Sequence, residues 1–299
     1  MIKPNHLQKG DTIILVSPAG KISKEQVIPT VSILESWGLK VKITPNCFDE
    51  YYRFSGTIEE RLSDMQMALD DTEAKAILCN RGGYGCIHLI NKLSFEQFKK
   101  YPKWLIGFSD ISVFHSYFNR VLKCQTLHAP MPVNLSKEDT SQQTLEYFRK
   151  ALFGESLEYK ITSNKLTKLG KTEGELIGGN LATFFNILST DFSYEMKNKI
   201  LFIEDVGEPI HKIDQMMTSL KLSGSLSCLK GLIVGSFTDI DYEPEFGKSI
   251  HQIIYDCISS YDFPVIFDFP AGHISENYPL FFGRHIKLEV SDYQSFVII

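Results

Sequence analysis

Strand-length apolar runs alternate with helical patterns through about the first 120 residues, and this alternation restricts the fold more than any other feature. The runs 12–17, 39–43, 76–79 and 104–108 are each followed by a stretch whose apolar residues recur at helical spacing. Such β–α steps are typical of a parallel sheet covered by helices on both faces. The sequence therefore predicts an α/β fold whose N-terminal half is doubly wound or flavodoxin-like, and in such sheets ligand sites lie at the C-terminal ends of strands.

The second half of the chain mixes strands and helices in a less regular order, and it ends in two apolar runs that predict a closing hairpin. A polar, linker-like stretch at 134–142 separates the halves. The predicted organisation is an N-terminal domain over 1–135, a linker region over 136–165 and a mixed α/β C-terminal domain over 166–299.

Charge and composition exclude several classes of protein. The chain has 299 residues, of which 43% are hydrophobic and 22% charged, so it can form a sizeable core. Its net charge of −5 is spread without blocks, and neither a basic stripe for nucleic acid nor a polybasic helix for a membrane surface is present. We therefore expect neither a nucleic-acid nor a membrane partner.

The cysteines and the first residues predict a cytoplasmic location. None of the six cysteines forms a C-x-x-C pair, which favours reduced thiols over disulfides or a zinc site. No charged segment followed by a long apolar one opens the chain, so we expect no signal peptide and no transmembrane helix.

A serine stands where the run 104–107 turns into the next helical pattern, in the sequence WLIGFSDIS. Ser109 has two possible roles: it caps the helix through its Oγ, or it stands at the mouth of the sheet as a nucleophile. The stretch alone favours the cap. The neighbouring Asp110 is most simply a first-turn acid that the helix dipole favours.

The loop 81–85, with sequence RGGYG, follows a strand and precedes a helix. Three interpretations stay open. The loop can cradle a phosphate, although its spacing is neither G-x-G-x-x-G nor a P-loop. It can be a tight turn that needs positive φ. Its exposed N–H groups can also form an oxyanion hole.

A nucleophilic serine needs a base and an orienting acid. His273 follows a strand and is the first candidate for the base, with His128 in reserve. Glu204 and Asp205 both end a strand, and alternation along a strand leaves only one of them facing the site. The order serine, acid, histidine also occurs in α/β-hydrolases, but Ile111 replaces the second glycine of their G-x-S-x-G turn.

Taken together and in order, five blocks resemble the LD-carboxypeptidase family of serine peptidases: RGGYG, GFSD, GGNL, FIEDV and GH, at 81–85, 107–110, 178–181, 202–206 and 272–273. The resemblance implies a flavodoxin-like domain followed by a mixed domain with a barrel-like sheet. It also implies an active site between the two domains and neither metal nor cofactor.

The same resemblance assigns roles to residues at the matching positions. It implies Ser109 as the nucleophile, His273 as the general base and Glu204, rather than Asp205, as the orienting acid. It makes the backbone N–H groups of Gly83 and Asp110 the oxyanion hole. An exopeptidase must bind the free carboxylate of the residue that it releases, and we expect Arg81 or Asn180 to donate hydrogen bonds to it. Tyr84 is a further candidate for contact with the substrate.

The implied reaction is hydrolysis of the L,D-peptide bond of a murein tetrapeptide, with release of D-alanine in cell-wall recycling, by a cytoplasmic homodimer. One alternative is a microcin C immunity-type hydrolase of aminoacyl-adenylate-like peptides. Alternatives of other classes are a non-catalytic two-lobed ligand-binding protein and a nucleotide-binding enzyme. The chain departs from the family pattern at three places, namely His211, Gln215 and Ala129, which follows His128.

Overall fold

The computed structural model describes residues 1–241 and 243–299, and the chain divides into two compact units. The first unit consists of Met1–Ser156 and Ser275–Phe281, and the second of Leu157–Ile274 and Phe282–Ile299. Each unit is built on one sheet with helices packed on it. The predicted mixed α/β fold with two sheet domains is therefore confirmed.

Thirteen strands are described, and they are labelled in chain order: β1 Thr12–Val16, β2 Lys40–Ile43, β3 Ala74–Cys79, β4 Trp104–Gly107, β5 Thr126–His128, β6 Glu158–Thr162, β7 Gly170–Asn180, β8 Lys199–Val206, β9 Gly231–Thr238, β10 Val265–Ile266, β11 Leu280–Phe282, β12 His285–Val290 and β13 Gln294–Ile298. The nine α-helices of the described residues are α1 Ile28–Ser36, α2 Ile58–Asp70, α3 Glu96–Lys100, α4 Ser112–Arg120, α5 Pro132–Leu135, α6 Gln142–Phe153, α7 Leu181–Asn186, α8 Ile210–Leu222 and α9 Ile250–Ile258.

The first unit contains a six-stranded sheet in the order β11-β5-β4-β3-β1-β2. The strands β1 to β5 pair in parallel, and β1 and β4 are buried along their whole length. This is the arrangement that the β–α alternation predicts. The edge strand β11 comes from late in the chain, and the sequence pattern gives no sign that this segment returns to the first sheet.

Local signals in the sequence set the helix starts of this unit. Thr57 forms a capping box with Glu60: its Oγ1 accepts from the N–H of Glu60 at 3.2 Å, and its own N–H donates to Glu60 Oε2 at 2.7 Å. The N–H of Ser23 likewise donates to Gln26 Oε1 at 3.2 Å, ahead of a short 3₁₀ turn and α1. Both helix starts have the S/T-x-x-E/Q pattern that is typical of a capping box.

A buried lysine from outside α2 donates hydrogen bonds to the C-terminal end of that helix. Lys103 is 1% exposed, and its Nζ donates to the carbonyls of Ala68 and Leu69 at 3.2 and 3.1 Å and also to that of Asp71. The last carbonyls of a helix lack intrahelical partners, and a positive charge there is also favoured by the helix dipole. Lys103 therefore stabilises the first unit by completing the hydrogen bonds of α2.

The second unit contains a seven-stranded sheet in the order β10-β9-β8-β7-β12-β13-β6. The strands β7 to β10 are parallel, and β12 and β13 form the predicted antiparallel hairpin. The sheet is not a closed barrel: no pairing joins the edge strands β6 and β10 within the part of the chain described. The segment beyond β6 instead reaches the opposite edge, where Lys168 and Val265 exchange backbone hydrogen bonds of 3.2 and 3.0 Å.

None of the helices in 1–241 and 243–299 is long and apolar enough to cross a membrane. All six cysteines are free thiols, and five of them are buried. Burial raises the pKa of Cys47 to about 11 and that of Cys124 to about 12, so these thiols stay protonated and unreactive near neutral pH.

Candidate active site

Ser109 occupies a strained backbone turn at the C-terminal end of β4. The buried strand ends at Gly107, Phe108 is extended, and Ser109 then has a φ of 65°. A side chain in this left-handed region costs on the order of 1–3 kcal/mol, and such strain concentrates at functional sites. The same strand–turn–helix geometry presents the serine in enzymes with a nucleophile elbow.

The alternative role of Ser109 as a helix cap is wrong. A 3₁₀ turn spans Ser109–Ile111 and leads directly into α4, and Phe108, rather than Ser109, occupies the N-cap position of that turn. The left-handed φ of Ser109 also differs from the extended conformation that an N-cap residue adopts. The strain at this position is therefore not explained by capping.

The glycine loop lies directly against Ser109. A Cβ added at Gly82 would stand 2.7 Å from the Cβ of Ser109 and 2.9 Å from its Oγ, so only glycine fits there. The carbonyl of Gly82 accepts from the N–H of Gly20 at 2.8 Å, which fixes the loop to the segment after β1. Gly83 and Gly85 have φ of 109° and 131°, as the tight-turn interpretation of this loop predicts.

In the second unit, His273 and Glu204 form a hydrogen-bonded pair. Nδ1 of His273 lies 2.7 Å from Glu204 Oε2, and the glutamate side chain is fully buried whereas 21% of the histidine side chain is exposed. Gly272 permits this approach, because a Cβ there would stand 2.8 Å from the same carboxylate oxygen. A histidine held through Nδ1 is left with Nε2 as the nitrogen that exchanges a proton with a reactant.

The charge around His273 favours its protonated form. Burial lowers the pKa of the imidazole, but the nearby carboxylates of Glu204, Asp205 and Asp239 outweigh burial and raise it above its ordinary value of 6.5. The carboxylate that orients the ring thus also stabilises the positive charge that forms when the ring accepts a proton.

Asp205 makes different contacts from its neighbour Glu204. Its Oδ1 accepts from Asn180 Nδ2 at 2.9 Å, and its Oδ2 accepts from the N–H of Ala182 at 2.9 Å. Burial, followed by the charge of Glu204, raises the pKa of Asp205 to about 7. The two acids point to opposite sides of β8, and it is Glu204 that reaches His273.

The three residues expected to contact a substrate have unequal freedom to do so. Asn180 is 6% exposed, and its Oδ1 caps α7 by accepting from the N–H and hydroxyl of Thr183, both at 3.0 Å. Arg81 is exposed and donates to the carbonyl of Lys21 at 3.0 Å. Tyr84 is 45% exposed.

The other histidines singled out by the sequence have environments unlike that of His273. His128 is fully buried in β5, beside the equally buried His115, whose Nε2 lies 2.8 Å from the carbonyl of Gly107. His211 is largely exposed on α8, 3.8 Å from a carboxylate oxygen of Glu243.

Sequence reasoning missed Arg61. This residue is 2% exposed and contacts the glycine loop, although it lies in a helix that the sequence predicts. Its position supplies a signal, because Arg61 precedes the buried Met65 and Leu69 by four and eight residues and so shares their face of α2. A basic residue on the apolar face of a helix is a candidate for a buried role.

Comparison with known proteins gives two family-model matches. Residues 13–129 match the LD-carboxypeptidase N-terminal domain, and residues 173–288 match the LD-carboxypeptidase C-terminal domain. A probable murein peptide carboxypeptidase of Bacillus subtilis is 31% identical over 97% of this chain and 92% of that protein. The murein tetrapeptide carboxypeptidase of Pseudomonas aeruginosa is 29% identical over 93% of this chain and 92% of its own length.

Solved structures have the same fold. The muramoyltetrapeptide carboxypeptidase from Oxalobacter formigenes superposes with a TM-score of 0.87 at 24% identity, covering 96% of this chain and 98% of that one. The microcin C7 self-immunity protein MccF, in complex with aspartyl sulfamoyl adenosine, gives 0.88 at 21% identity, with 98% and 97% covered.

Proposed function

Because the chain belongs to the LD-carboxypeptidase family, we propose that it is a serine carboxypeptidase that hydrolyses the L,D-peptide bond of murein tetrapeptides and releases the terminal D-alanine. The hydrogen bond between His273 and the buried Glu204 carries this proposal, since it supplies a base whose orientation and charge suit acyl transfer. The proposed setting is cell-wall recycling in the cytoplasm, with the enzyme acting as a homodimer.

In the proposed mechanism Ser109 is the nucleophile and His273 is the general base. His273 takes the proton of Ser109 as Oγ attacks the carbonyl carbon of the scissile bond. The N–H groups of Gly83 and Asp110 stabilise the resulting oxyanion. His273 then gives the proton to the amine of the departing D-alanine, and a water that His273 activates hydrolyses the acyl-enzyme.

The test is incubation with a defined tetrapeptide whose last bond joins an L-configured centre to D-alanine. Chiral chromatography should detect free D-alanine, whereas matched peptides with an L,L or a D,D terminal bond should stay intact. Equal hydrolysis of all three peptides, or of none, would contradict the proposal. Cleavage of an aminoacyl-adenylate analogue in place of the tetrapeptide would instead support the microcin C immunity-type activity.

The pH dependence of catalysis should report the environment of His273. A general base acts in its deprotonated form, so kcat/KM should fall as the pH drops through the pKa of His273. Since the surrounding carboxylates raise that pKa above 6.5, the acid limb should have its midpoint above the value of an ordinary histidine. The measurement is a kcat/KM profile from about pH 5 to 9; a flat profile, or a midpoint well below 6.5, would argue against His273 as the base.

A further inference from the structure

Arg61 is a buried guanidinium that joins two loops of the first unit. Its Nη1 donates to the carbonyl of Pro18 at 2.8 Å and to that of Gly85 at 3.3 Å. The guanidinium carbon also lies 4.9 Å from the centre of the Phe54 ring, within the range of a cation–π contact. Arg61 thus ties the segment after β1 to the end of the glycine loop.

Asp110 contacts the same part of the glycine loop from the other side. Its Oδ2 accepts from the N–H of Cys86 at 2.9 Å. The carbonyl of Gly85 and the N–H of Cys86 belong to one peptide unit, so a single peptide is held by a cation at its oxygen and by a carboxylate at its nitrogen. We call this arrangement of Arg61, the Gly85–Cys86 peptide and Asp110 the peptide clamp.

The glycine at the clamp is required by the arginine. Gly85 has a φ of 131°, and a Cβ at this position would stand 2.5 Å from Arg61 Nη1. Any other residue would displace the guanidinium from the peptide that it holds. The last residue of the RGGYG loop must therefore be glycine because a side chain there would collide with Arg61. Gly82 must be glycine because a side chain there would collide with Ser109.

From these contacts we propose that Arg61 and the carboxylate of Asp110 are positioning residues, which fix the glycine loop so that the N–H of Gly83 is held where the oxyanion forms. This inference rests on the proposed function. Asp110 then contributes twice: its backbone N–H is a proposed oxyanion donor, and its carboxylate holds the loop that carries the other donor. The serine turn and the glycine loop are fixed to each other through that one side chain.

The cost of burying these charges supports a positioning role over a purely stabilising one. Asp110 is 6% exposed, and burial raises its pKa, opposed by the Cys86 N–H and thiol and by the charges of Arg61 and His88. Burial lowers the pKa of Arg61, opposed by Cys86, Asp110 and Glu59. Buried charges of opposite sign are weak contributors to stability, and apolar residues of similar volume often serve a fold as well.

Loosening the clamp should affect the transition state more than substrate binding. The carbonyl oxygen carries negative charge in the tetrahedral intermediate and the transition states that flank it, but not in the bound substrate. We therefore expect kcat to fall while KM changes little. Removing an oxyanion donor outright costs on the order of 10²–10³ in rate. A loop that is displaced rather than deleted should cost about 10- to 100-fold.

The central experiment compares Arg61→Met with a matched control, Lys103→Met. Both residues are basic, almost fully buried and donate to backbone carbonyls, but Lys103 serves the C-terminal end of α2 and does not touch the glycine loop. We expect only Arg61→Met to lose kcat, whatever either change does to the unfolding temperature. Equal kcat in the two variants, at the wild-type level or below it, would overturn the proposal.

Two variants at the aspartate provide a graded test. Asp110→Asn keeps an oxygen that can accept from the N–H of Cys86, whereas Asp110→Ala removes it. We expect kcat to decrease from wild type to Asn to Ala at nearly constant KM. Amide hydrogen exchange at Cys86 should become faster in the same order, and an unchanged exchange rate in the alanine variant would overturn the clamp whatever its folding stability.

A fluorophosphonate probe separates this proposal from the proposed function, because it reports the nucleophile and oxyanion hole without a peptide substrate. Slower labelling of Ser109 in Arg61→Met than in Lys103→Met would support the clamp even if the wild type released no D-alanine. Equal labelling would overturn the clamp and leave the peptidase proposal standing. A wild type that neither labels nor hydrolyses the tetrapeptide would overturn both.

Discussion

Replacing Ser109 by alanine is expected to lower the rate of D-alanine release by on the order of 10⁶-fold while the protein stays folded. Oγ is the atom that forms the acyl-enzyme in the proposed mechanism. Without it, the only remaining rate enhancement comes from substrate binding and from stabilisation of the oxyanion. The turn itself should survive, because alanine has the same backbone requirements as serine. The measurement is turnover of the defined tetrapeptide, with circular dichroism to verify the fold.

Ser109→Gly serves as the companion variant. It also lacks Oγ and should be equally inactive, but glycine adopts a φ of 65° without steric cost. We therefore expect the glycine variant to exceed the alanine variant in free energy of unfolding by about 1 kcal/mol. An alanine variant that kept near-normal turnover would refute the nucleophile; equal stabilities would refute the strain at this turn.

The second large effect is expected for Glu204→Gln, which should reduce kcat by on the order of 10⁴-fold. Glutamine has nearly the same shape, but its amide can turn an N–H toward Nδ1 of His273, which favours the wrong tautomer. It also removes the charge that most strongly raises the pKa of the imidazole. The kcat/KM of any residual activity should therefore have its acid limb at lower pH than that of the wild type.

Asp205→Asn is the matched control for Glu204→Gln, since it makes the same change from carboxyl to amide at the adjacent and equally buried position. Its contacts are to Asn180 and to backbone N–H groups, so the change should mainly lower stability and affect kcat far less. If the two variants lost kcat to the same extent, the assignment of Glu204 as the orienting acid would be wrong.

Much of this architecture can be predicted because local signals and the global fold agree. Thr57 and Glu60 mark a helix start through contacts only three residues apart, and buried runs such as β4 reveal parallel strands through composition alone. A parallel sheet then places the C-terminal ends of its strands on one edge, which is why the sequence alone makes Ser109 a candidate.

Other features depend on contacts that sequence spacing does not reveal. Neither the φ of 65° at Ser109 nor the packing of the glycine loop against it can be read from sequence spacing, so a helix cap is the simpler prediction. The choice between Glu204 and Asp205 depends on which face of β8 meets His273, and the residues alone left it open. Arg61 reaches a peptide 24 residues away in sequence, and its role appears only when α2 and the glycine loop are folded together.

The edge strand β11, which follows most of the second unit in the sequence, affects how the first sheet is completed during synthesis. It borders β5 in the first sheet, Phe281 packs against Trp104 with ring centroids 5.2 Å apart, and Asn277 N–H donates to Thr144 Oγ1 at 3.0 Å. During synthesis from the N-terminus, β5 therefore remains an open sheet edge until β11, more than 150 residues further along the chain, has left the ribosome. An exposed edge with unpaired backbone groups is a site for aggregation, so the nascent first unit needs protection throughout the synthesis of the second.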